Sequence, residues 1–304
     1  MGFRRSIDMK ELQDVFSNNI FLVELKNNLI NKGKALLAFR NDEATIYYKG
    51  NNLCSIRKQK KNGKYDIDIY SKFLPLSRSK ALEKTNLSRY TEKEWQEVEN
   101  TKKTFLDVLP EIKDNIEKDA NPEAKQVSNL YKYSPLAKEN NEIVLLDIEA
   151  EFEGIEIRSE TKTLLDRIDV VLYHTVDKRL IFLEVKRLDD PRFKMQNGSY
   201  DKILSQLEEY DKVLKDKSYI DNFNTQYTEV IKYYNRINPN FKEIKIENPP
   251  LLGFLLVEFN NSDKKCISEI TKAIKDKHYV VCSIGNTEHL TPKTLKEWYR
   301  KIKQ

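Results

Sequence analysis

The sequence contains few of the residues that build metal clusters, disulfide frameworks and phosphate-binding loops. Its 304 residues include three cysteines, three histidines and eight glycines. The cysteines lie far apart and form no Cys-x-x-Cys pair, which argues against a zinc knuckle and a four-cysteine iron–sulfur cluster. The histidines lack metal-ligand spacing, and neither a dinucleotide-binding glycine motif nor a P-loop occurs. We therefore expect three reduced and packed cysteines: Cys54, Cys266 and Cys282.

Long apolar runs are also absent. No stretch approaches the ~18 apolar residues of a membrane span, and the first residues lack the apolar core of a signal peptide. Charged residues make up 33% of the chain, and the mean hydropathy is −0.68. These features predict a cytoplasmic protein without membrane contact. Its length is sufficient for one large domain or two smaller ones.

The charge is unevenly distributed along the chain. There are 53 lysines and arginines and 48 aspartates and glutamates, which gives a net charge of +5. Residues 1–140 carry a charge of +6, whereas residues 141–304 carry −1. The small N-terminal excess is compatible with a polyanionic partner such as nucleic acid.

The pattern of residues 1–120 predicts an α+β region. We expect this region to bind the substrate or a partner. Apolar residues recur at helical spacing over residues 10–29. Turn signals such as Gly50 then separate four apolar runs, a pattern typical of an antiparallel meander. The predicted strands cover residues 35–39, 44–48, 53–56 and 65–70. Residues 91–119 predict one charged helix that is broken near Pro110.

Basic residues cluster at the tip of one predicted hairpin. Two interpretations remain open. The cluster is either a charged turn that keeps a sheet edge from pairing with other chains or a finger that binds phosphates. The candidate phosphate-binding residues are Arg57, Lys58, Lys60 and Lys61.

Residues 121–304 predict a second domain of the α/β class. Asn121-Pro122 opens a helix, and residues 143–152 then alternate apolar and acidic side chains, as in a strand with one polar face. Further strands are expected at residues 168–173, 180–185, 251–259 and 279–284, and helices at 200–214, 227–237, 262–275 and 290–302. This order is typical of a mixed sheet covered by helices.

Three charged residues on two neighbouring strands form the main candidate site. Glu184 and Lys186 are two positions apart on one strand and therefore face the same side. Asp169 lies on the preceding strand, and the short connection favours antiparallel pairing. Two converging carboxylates suit Mg²⁺ or Mn²⁺, and a lysine beside them can orient or deprotonate a water. The alternative without a function is a surface Glu/Lys ion pair at a strand end, which contributes little to stability.

The next helix adds a second motif. Gln206 and Tyr210 are four residues apart and therefore share one helix face. Asp169, Glu184-Val-Lys186 and Gln206-x-x-x-Tyr210, in this order on strand, strand and helix, resemble the PD-(D/E)xK nuclease superfamily. The resemblance is closest to its RecB-type branch and covers about residues 123–285. It implies a restriction-endonuclease-like mixed sheet flanked by helices and a Mg²⁺- or Mn²⁺-dependent nuclease that acts on DNA.

The resemblance also implies roles for the central residues. Asp169 and Glu184 would bind the metal ion, and the main-chain carbonyl of Val185 would be a third ligand. Lys186 would position or activate the attacking water. Together these groups suffice for hydrolysis of a phosphodiester bond.

Further residues are assigned by the same resemblance. Gln206 and Tyr210 would brace the site or contact the nucleic-acid backbone. Relatives often carry another acidic metal ligand upstream, for which Glu151 is our choice. Three other acidic residues remain open as alternatives: Glu149, Glu153 and Glu123. Arg187 and Arg192 follow the central strand and are candidates for phosphate contacts, although a solvated loop also explains them.

The sequence departs from the RecB-type pattern in several respects. The upstream histidine, the iron–sulfur cysteines and a helicase motor are all missing, which leaves a stand-alone metal-dependent nuclease. The resemblance implies a role in defence, restriction or repair, and the sequence does not select among the three. Single- or double-stranded substrate, endo- or exonucleolytic action, and a protein partner or homo-oligomer all stay open. The alternatives are a catalytically silent nuclease-fold module that binds nucleic acid or a protein, and an interaction protein with chance motifs, in which Asp169 and Lys186 lie far apart.

Overall fold

The computed structural model describes residues 7–40, 42–58, 64–76, 88–137, 141–150, 167–193, 200–241, 245–259 and 263–304. The chain forms two compact units. The N-terminal unit comprises residues 4–139 and 233–241, and the C-terminal unit comprises residues 1–3, 140–232 and 242–304. In the part of the chain that the structure describes, no helix is both long and apolar enough to cross a membrane.

The N-terminal unit contains a five-stranded antiparallel sheet, which confirms the predicted meander. The sheet order β1-β2-β3-β4-β5 follows the chain. Its strands are β1 (Ala35–Arg40), β2 (Glu43–Tyr48), β3 (Asn51–Lys58), β4 (Tyr65–Tyr70) and β5 (Arg89–Thr91). Lys49 and Gly50 both have positive φ between β2 and β3, as the tight hairpin turn requires. A Cβ on Gly50 would also lie 2.3 Å from that of Ala124.

The first helix predicted in this unit is divided at a position that the sequence analysis did not predict. The segment predicted as one helix over 10–29 forms α1 (Met9–Asn18), α2 (Ile20–Leu25) and a wider turn over Lys26–Ile30. The side chain of Asn19 caps α2 by accepting the Leu22 N–H, which ends the first helix and starts the second.

The charged helix predicted over residues 91–119 forms two helices, and the predicted break near Pro110 is confirmed, although the interruption already begins at Asn100. The first, α3 (Glu92–Glu99), ends at Asn100, whose left-handed backbone stops it. The second, α4 (Leu109–Asp119), carries Pro110 in its first turn. Proline is tolerated there because its missing N–H has no helical partner to lose.

The N-terminal unit extends past the predicted boundary at residue 120. Helix α5 (Pro122–Ser128) and the helical turn Asn129–Tyr133 belong to this unit. Gly50 approaches Ala124, and a Cβ on Gly33 would meet the backbone of Lys132 at 2.6 Å. These close approaches fix residues 122–133 against the meander, so the division between the units falls at residue 139.

The C-terminal unit contains a mixed five-stranded sheet, which confirms the predicted α/β class. Its strands are β6 (Ile143–Ala150), β7 (Ile168–His174), β8 (Arg179–Arg187), β9 (Asn248–Val257) and β10 (Val281–Ser283). The sheet order is β10-β9-β8-β7-β6. Strands β6, β7 and β8 pair antiparallel, and β8, β9 and β10 pair parallel.

Helices cover both faces of this sheet. They are α6 (Asp201–Lys215), α7 (Lys217–Ile237), α8 (Lys264–Asp276) and α9 (Pro292–Lys303). Phe254 and Leu256 pack with residues of α6 and α8. Gly253 points the other way, where a Cβ would meet Ile302 of α9 at 2.8 Å. Because neighbouring strand residues face opposite sides, α6 and α8 lie on one face and α9 on the other.

Candidate functional site

Strand pairing brings the predicted acidic and basic residues together. Strands β7 and β8 are antiparallel, and Val170 lies opposite Leu183. The next pair in this register is Asp169 and Glu184, which therefore lie side by side. Paired residues share a face of the sheet, and Glu184 and Lys186 share it as well. The Nζ of Lys186 lies 3.2 Å from Oδ2 of Asp169. The separation of Asp169 and Lys186 that the chance-motif alternative requires is therefore not found.

The ammonium group of Lys186 is surrounded by oxygens. Its Nζ contacts Oε1 of Glu184, lies 3.2 Å from Oδ2 of Asp169 and donates to the carbonyl of Val185 at 2.7 Å. The sequence predicted the same three groups as metal ligands. The ammonium of Lys186 thus lies at the point where two carboxylates and one main-chain carbonyl converge.

The cluster is largely removed from solvent. The side chains of Glu184 and Lys186 are 1% and 2% exposed, whereas that of Asp169 is 20% exposed. Oδ2 of Asp169 also accepts the N–H of Val185 at 2.7 Å, so the backbone of β8 fixes this carboxylate. Burial of charges at this depth is tolerated only with close ionic and hydrogen-bond partners.

Helix α6 supplies a brace for Glu184. Gln206 Nε2 donates to Oε1 of Glu184 at 2.8 Å and to the hydroxyl of Tyr210 at 3.1 Å. The hydroxyl of Tyr210 donates to the carbonyl of Arg167 at 3.1 Å. Of the two roles considered for Gln206 and Tyr210, the contacts support the bracing role.

Glu151, the predicted upstream acidic ligand, lies outside the described residues. Glu153, one of its alternatives, lies outside them as well. Glu149 is among the described residues. Its neighbours Ile148 and Ala150 pair with Val170 and Ile168 of β7, so Glu149 lies opposite Asp169. Its φ of 47° is unusual for a non-glycine residue, and its carboxylate lies 3.7 Å from Arg167. Glu123 belongs to the N-terminal unit.

A side-chain metal site is not complete within the described part of the chain. There, no group of three or more histidine, cysteine, aspartate or glutamate side chains could hold a metal ion. The candidate set among these residues consists of the carboxylates of Asp169 and Glu184 and the carbonyl of Val185. A third carboxylate ligand remains a prediction for Glu151.

Sequence reasoning missed one buried carboxylate. Asp147 was placed on a polar strand face, but it is 1% exposed. It accepts the Tyr227 hydroxyl at 3.1 Å and the Ile148 N–H at 2.9 Å. A register shift between Leu145 and Asp147 interrupts the alternation. No local signal marked Asp147, because Glu149 is flanked by two apolar residues in the same way.

Arg187, a candidate phosphate contact, is engaged within its own unit. It pairs with Asp189 at 2.7 Å and with Glu258 at 2.6 Å. The side chain of Arg192 lies outside the described residues. Phosphate binding by either arginine stays a prediction.

The basic hairpin tip shows a similar pattern. Arg57 lies 2.7 Å from Glu43 and 3.5 Å from Asp68, and Lys58 lies 3.8 Å from Asp8. These ion pairs agree with the charged-turn interpretation, and phosphate binding stays a prediction. The other two basic residues of the proposed finger are outside the described part of the chain: Lys60 and Lys61.

The cysteines differ from one another in exposure. Cys54 and Cys282 are buried. Burial raises the pKa of Cys54, and it raises that of Cys282 to about 12. Cys266 on α8 is exposed, so the expectation that all three are packed was wrong for this residue. Cys266 lies on the same side of α8 as the buried Ile270, but it stands in the exposed first turn of the helix.

Comparisons of the chain with protein-family models, with curated proteins and with solved structures find no match. The functional argument therefore depends on the contacts among Asp169, Glu184, Lys186 and the helix residues that brace them.

Proposed function

We propose that this chain is a metal-dependent nuclease that hydrolyses phosphodiester bonds, with DNA as its substrate. One observation carries the proposal. Asp169, Glu184 and Lys186 converge at the junction of two strands, and the carbonyl of Val185 joins them around a buried cation.

The donor groups fit a hard divalent cation. Two carboxylate oxygens and a carbonyl oxygen already surround the ammonium of Lys186, and these are the oxygen ligands that Mg²⁺ and Mn²⁺ prefer. Asp169, Glu184 and Val185 would hold the ion, with Glu151 as a further expected ligand. When bound, the ion would polarise a phosphoryl oxygen and stabilise the leaving oxygen.

The remaining residues orient the reacting groups. Nζ of Lys186 would position the attacking water and, in its neutral form, accept the proton that the water loses. Gln206 fixes the orientation of Glu184, and Tyr210 fixes Gln206 through its bond to the Arg167 carbonyl. Such fixed geometry lowers the reorganisation needed during reaction.

Membership of the C-terminal unit in the PD-(D/E)xK superfamily, in its RecB-type branch, is part of this proposal. It is supported by three antiparallel strands followed by two parallel ones and by the meeting of Gln206 and Tyr210 with Glu184. A restriction-endonuclease-like fold and a role in defence, restriction or repair follow from the same assignment.

A silent nuclease-like binding module is the second candidate. The observation that favours it is the burial of Glu184 and Lys186 in a mutual ion pair, which gives the pair a structural use without catalysis. A silent module would bind nucleic acid or a protein without cleaving, and the removal of Lys186 would then change stability alone.

Cleavage assays test the proposal. Purified protein is incubated with labelled single- and double-stranded DNA and RNA in Mg²⁺, Mn²⁺ or EDTA. The variant is Lys186→Ala, and Lys178→Ala is the matched control because Lys178 pairs with Glu247 elsewhere in the same unit. We expect metal-dependent cleavage that Lys186→Ala loses and Lys178→Ala keeps. If the wild-type chain cleaves no substrate, or Lys186→Ala cleaves as well as wild type, the proposal is wrong.

A further inference from the structure

We propose that Lys186 is an internal competitor for the divalent cation, and that its ammonium occupies the ligand oxygens until the ion displaces it. This inference rests on the proposed function, because it takes the same site to bind Mg²⁺ or Mn²⁺. It assigns Lys186 a role in metal loading in addition to its role toward water.

The competition follows from the identity of the oxygens. The ammonium contacts Oδ2 of Asp169, Oε1 of Glu184 and the carbonyl of Val185. These are the three described groups that would hold the metal ion. A divalent ion and an ammonium that share these three oxygens would lie within a few ångströms of each other, and in a buried site their repulsion is strong. An ion that binds through these three oxygens therefore displaces Nζ from its position.

Burial makes the exchange energetically significant. Glu184 and Lys186 are almost fully buried, so the ammonium compensates carboxylates that are costly to leave unpaired. In the unloaded protein Lys186 stabilises the site, and it lowers the apparent affinity for the metal ion. The ion takes over the compensating charge when it binds.

Displacement also changes what Lys186 can do. Its ammonium is carried on a flexible four-carbon stem, so it can swing away from the oxygens while its backbone stays in β8. Only then is Nζ available to a water beside the bound ion. The release of the lysine is thus coupled to metal loading, which keeps the unloaded site inactive.

Metal titration of three proteins tests this role without any measurement of cleavage. Mn²⁺ binding is measured by calorimetry on wild type, Lys186→Met and the control Lys178→Met. We expect Lys186→Met to bind Mn²⁺ at least about tenfold more tightly than wild type, about 1.4 kcal/mol, and the control to match wild type. The increase in Tm with Mn²⁺ should likewise be larger for Lys186→Met.

The outcomes separate this inference from the proposed function. If wild type binds Mn²⁺ and Lys186→Met binds it equally or more weakly, the competition is disproved while the nuclease proposal stands. If neither protein binds Mn²⁺ and wild type cleaves nothing, both proposals are disproved.

A measurement on wild type covers the case in which Lys186→Met does not fold. In protein labelled with ¹³C-lysine, the Cε resonance of Lys186 is followed during addition of Mg²⁺, with that of Lys178 as the internal reference. We expect the Lys186 resonance to move and the Lys178 resonance to stay. A Lys186 resonance that is unchanged at saturating Mg²⁺ contradicts displacement.

Discussion

Each of the two sheets carries a cluster of charged residues, and the two clusters use their cations differently. In the N-terminal sheet, Arg89 lies 2.9 Å from Asp68 and 3.8 Å from Glu43. Arg57 lies 2.7 Å from Glu43 and 3.5 Å from Asp68. Each carboxylate therefore lies near two arginines, which are carried by β3 and β5.

In the C-terminal sheet, two carboxylates converge on one ammonium. Lys186 contacts both Asp169 and Glu184. An arginine presents a rigid fork that matches carboxylates geometrically, whereas a lysine is a compact charge on a flexible stem. The comparison therefore contrasts carboxylates held by rigid forks with carboxylates held by one compact charge, and our proposal is that only the compact charge gives way to a metal ion.

Burial acts on both clusters. In the N-terminal sheet, desolvation raises the pKa of Asp68, and the hydrogen bond from Arg89 and the charges of Arg57 and Arg89 oppose this rise. The two arginines therefore offset part of the free energy that burial of the Asp68 carboxylate costs. Removal of the cation should be destabilising in either cluster, but only the C-terminal cluster should accept a metal ion in its place.

The largest expected effect comes from removing each cation in turn. Lys186→Met should lose about 3–5 kcal/mol of unfolding free energy without metal, because it leaves the buried Glu184 without its cation. Arg89→Met should lose less, because Arg57 stays beside Glu43 and Asp68. Mn²⁺ at millimolar concentration should restore most of the loss in Lys186→Met and none of it in Arg89→Met. Urea unfolding with and without Mn²⁺ measures both. Equal rescue of the two variants, or rescue of neither, would erase the distinction between the clusters.

A smaller effect is expected from the brace on Glu184. Tyr210→Phe removes the hydroxyl that holds Gln206, and we expect kcat for DNA cleavage to fall about tenfold, about 1.4 kcal/mol, with KM unchanged. Stability should fall by about 1 kcal/mol. Tyr227→Phe is the matched control, since it removes a hydroxyl bonded to Asp147 and should cost similar stability without slowing cleavage. A rise in KM alone for Tyr210→Phe would instead assign the hydroxyl to substrate contact.

The smallest effect is expected at an exposed pair, which serves as a baseline for the buried ones. Lys303 and the hydroxyl of Tyr299 bond to Asp177 and lower its pKa from 3.8 to about 2. A carboxyl group whose pKa is lowered by folding stabilises the folded state at pH values above its ordinary pKa. This stabilisation is lost as the pH falls toward the lowered pKa. Asp177→Asn should therefore be less stable than wild type at pH 7 by under about 1 kcal/mol.

The pH series provides the check on this baseline. Urea unfolding of wild type and Asp177→Asn at pH 7, 4 and 3 should show the difference shrinking as the pH approaches 3. A difference that stays constant or grows on acidification would show that the charge of Asp177 is not its source.

Local patterns predicted much of the fold. The meander followed from apolar runs separated by turn residues such as Gly50, because a tight turn leaves antiparallel pairing as the natural outcome. The break at Asn19 was missed because apolar spacing continues across it, and only the cap on Leu22 marks it. The boundary at residue 120 was misplaced because contacts of Gly33 and Gly50 with a later segment are not visible in local composition.

The candidate site was predictable where it depends on strand periodicity. The two-residue repeat placed Glu184 and Lys186 on one side, and a short hairpin brought Asp169 beside them. Asp147 was missed because a register shift reverses the side that it faces. The arginine cluster was missed because Glu43 and Arg89 lie on strands far apart in sequence.

The most direct test of the account is calorimetric titration of Mn²⁺ into wild type and Asp169→Asn. The variant removes one ligand oxygen charge and keeps the size of the side chain. We predict a single Mn²⁺ site in wild type that is lost or weakened at least about a hundredfold in Asp169→Asn, about 2.7 kcal/mol. Equal binding by the two proteins, or no binding by wild type, would contradict the claim that these oxygens form a divalent-cation site.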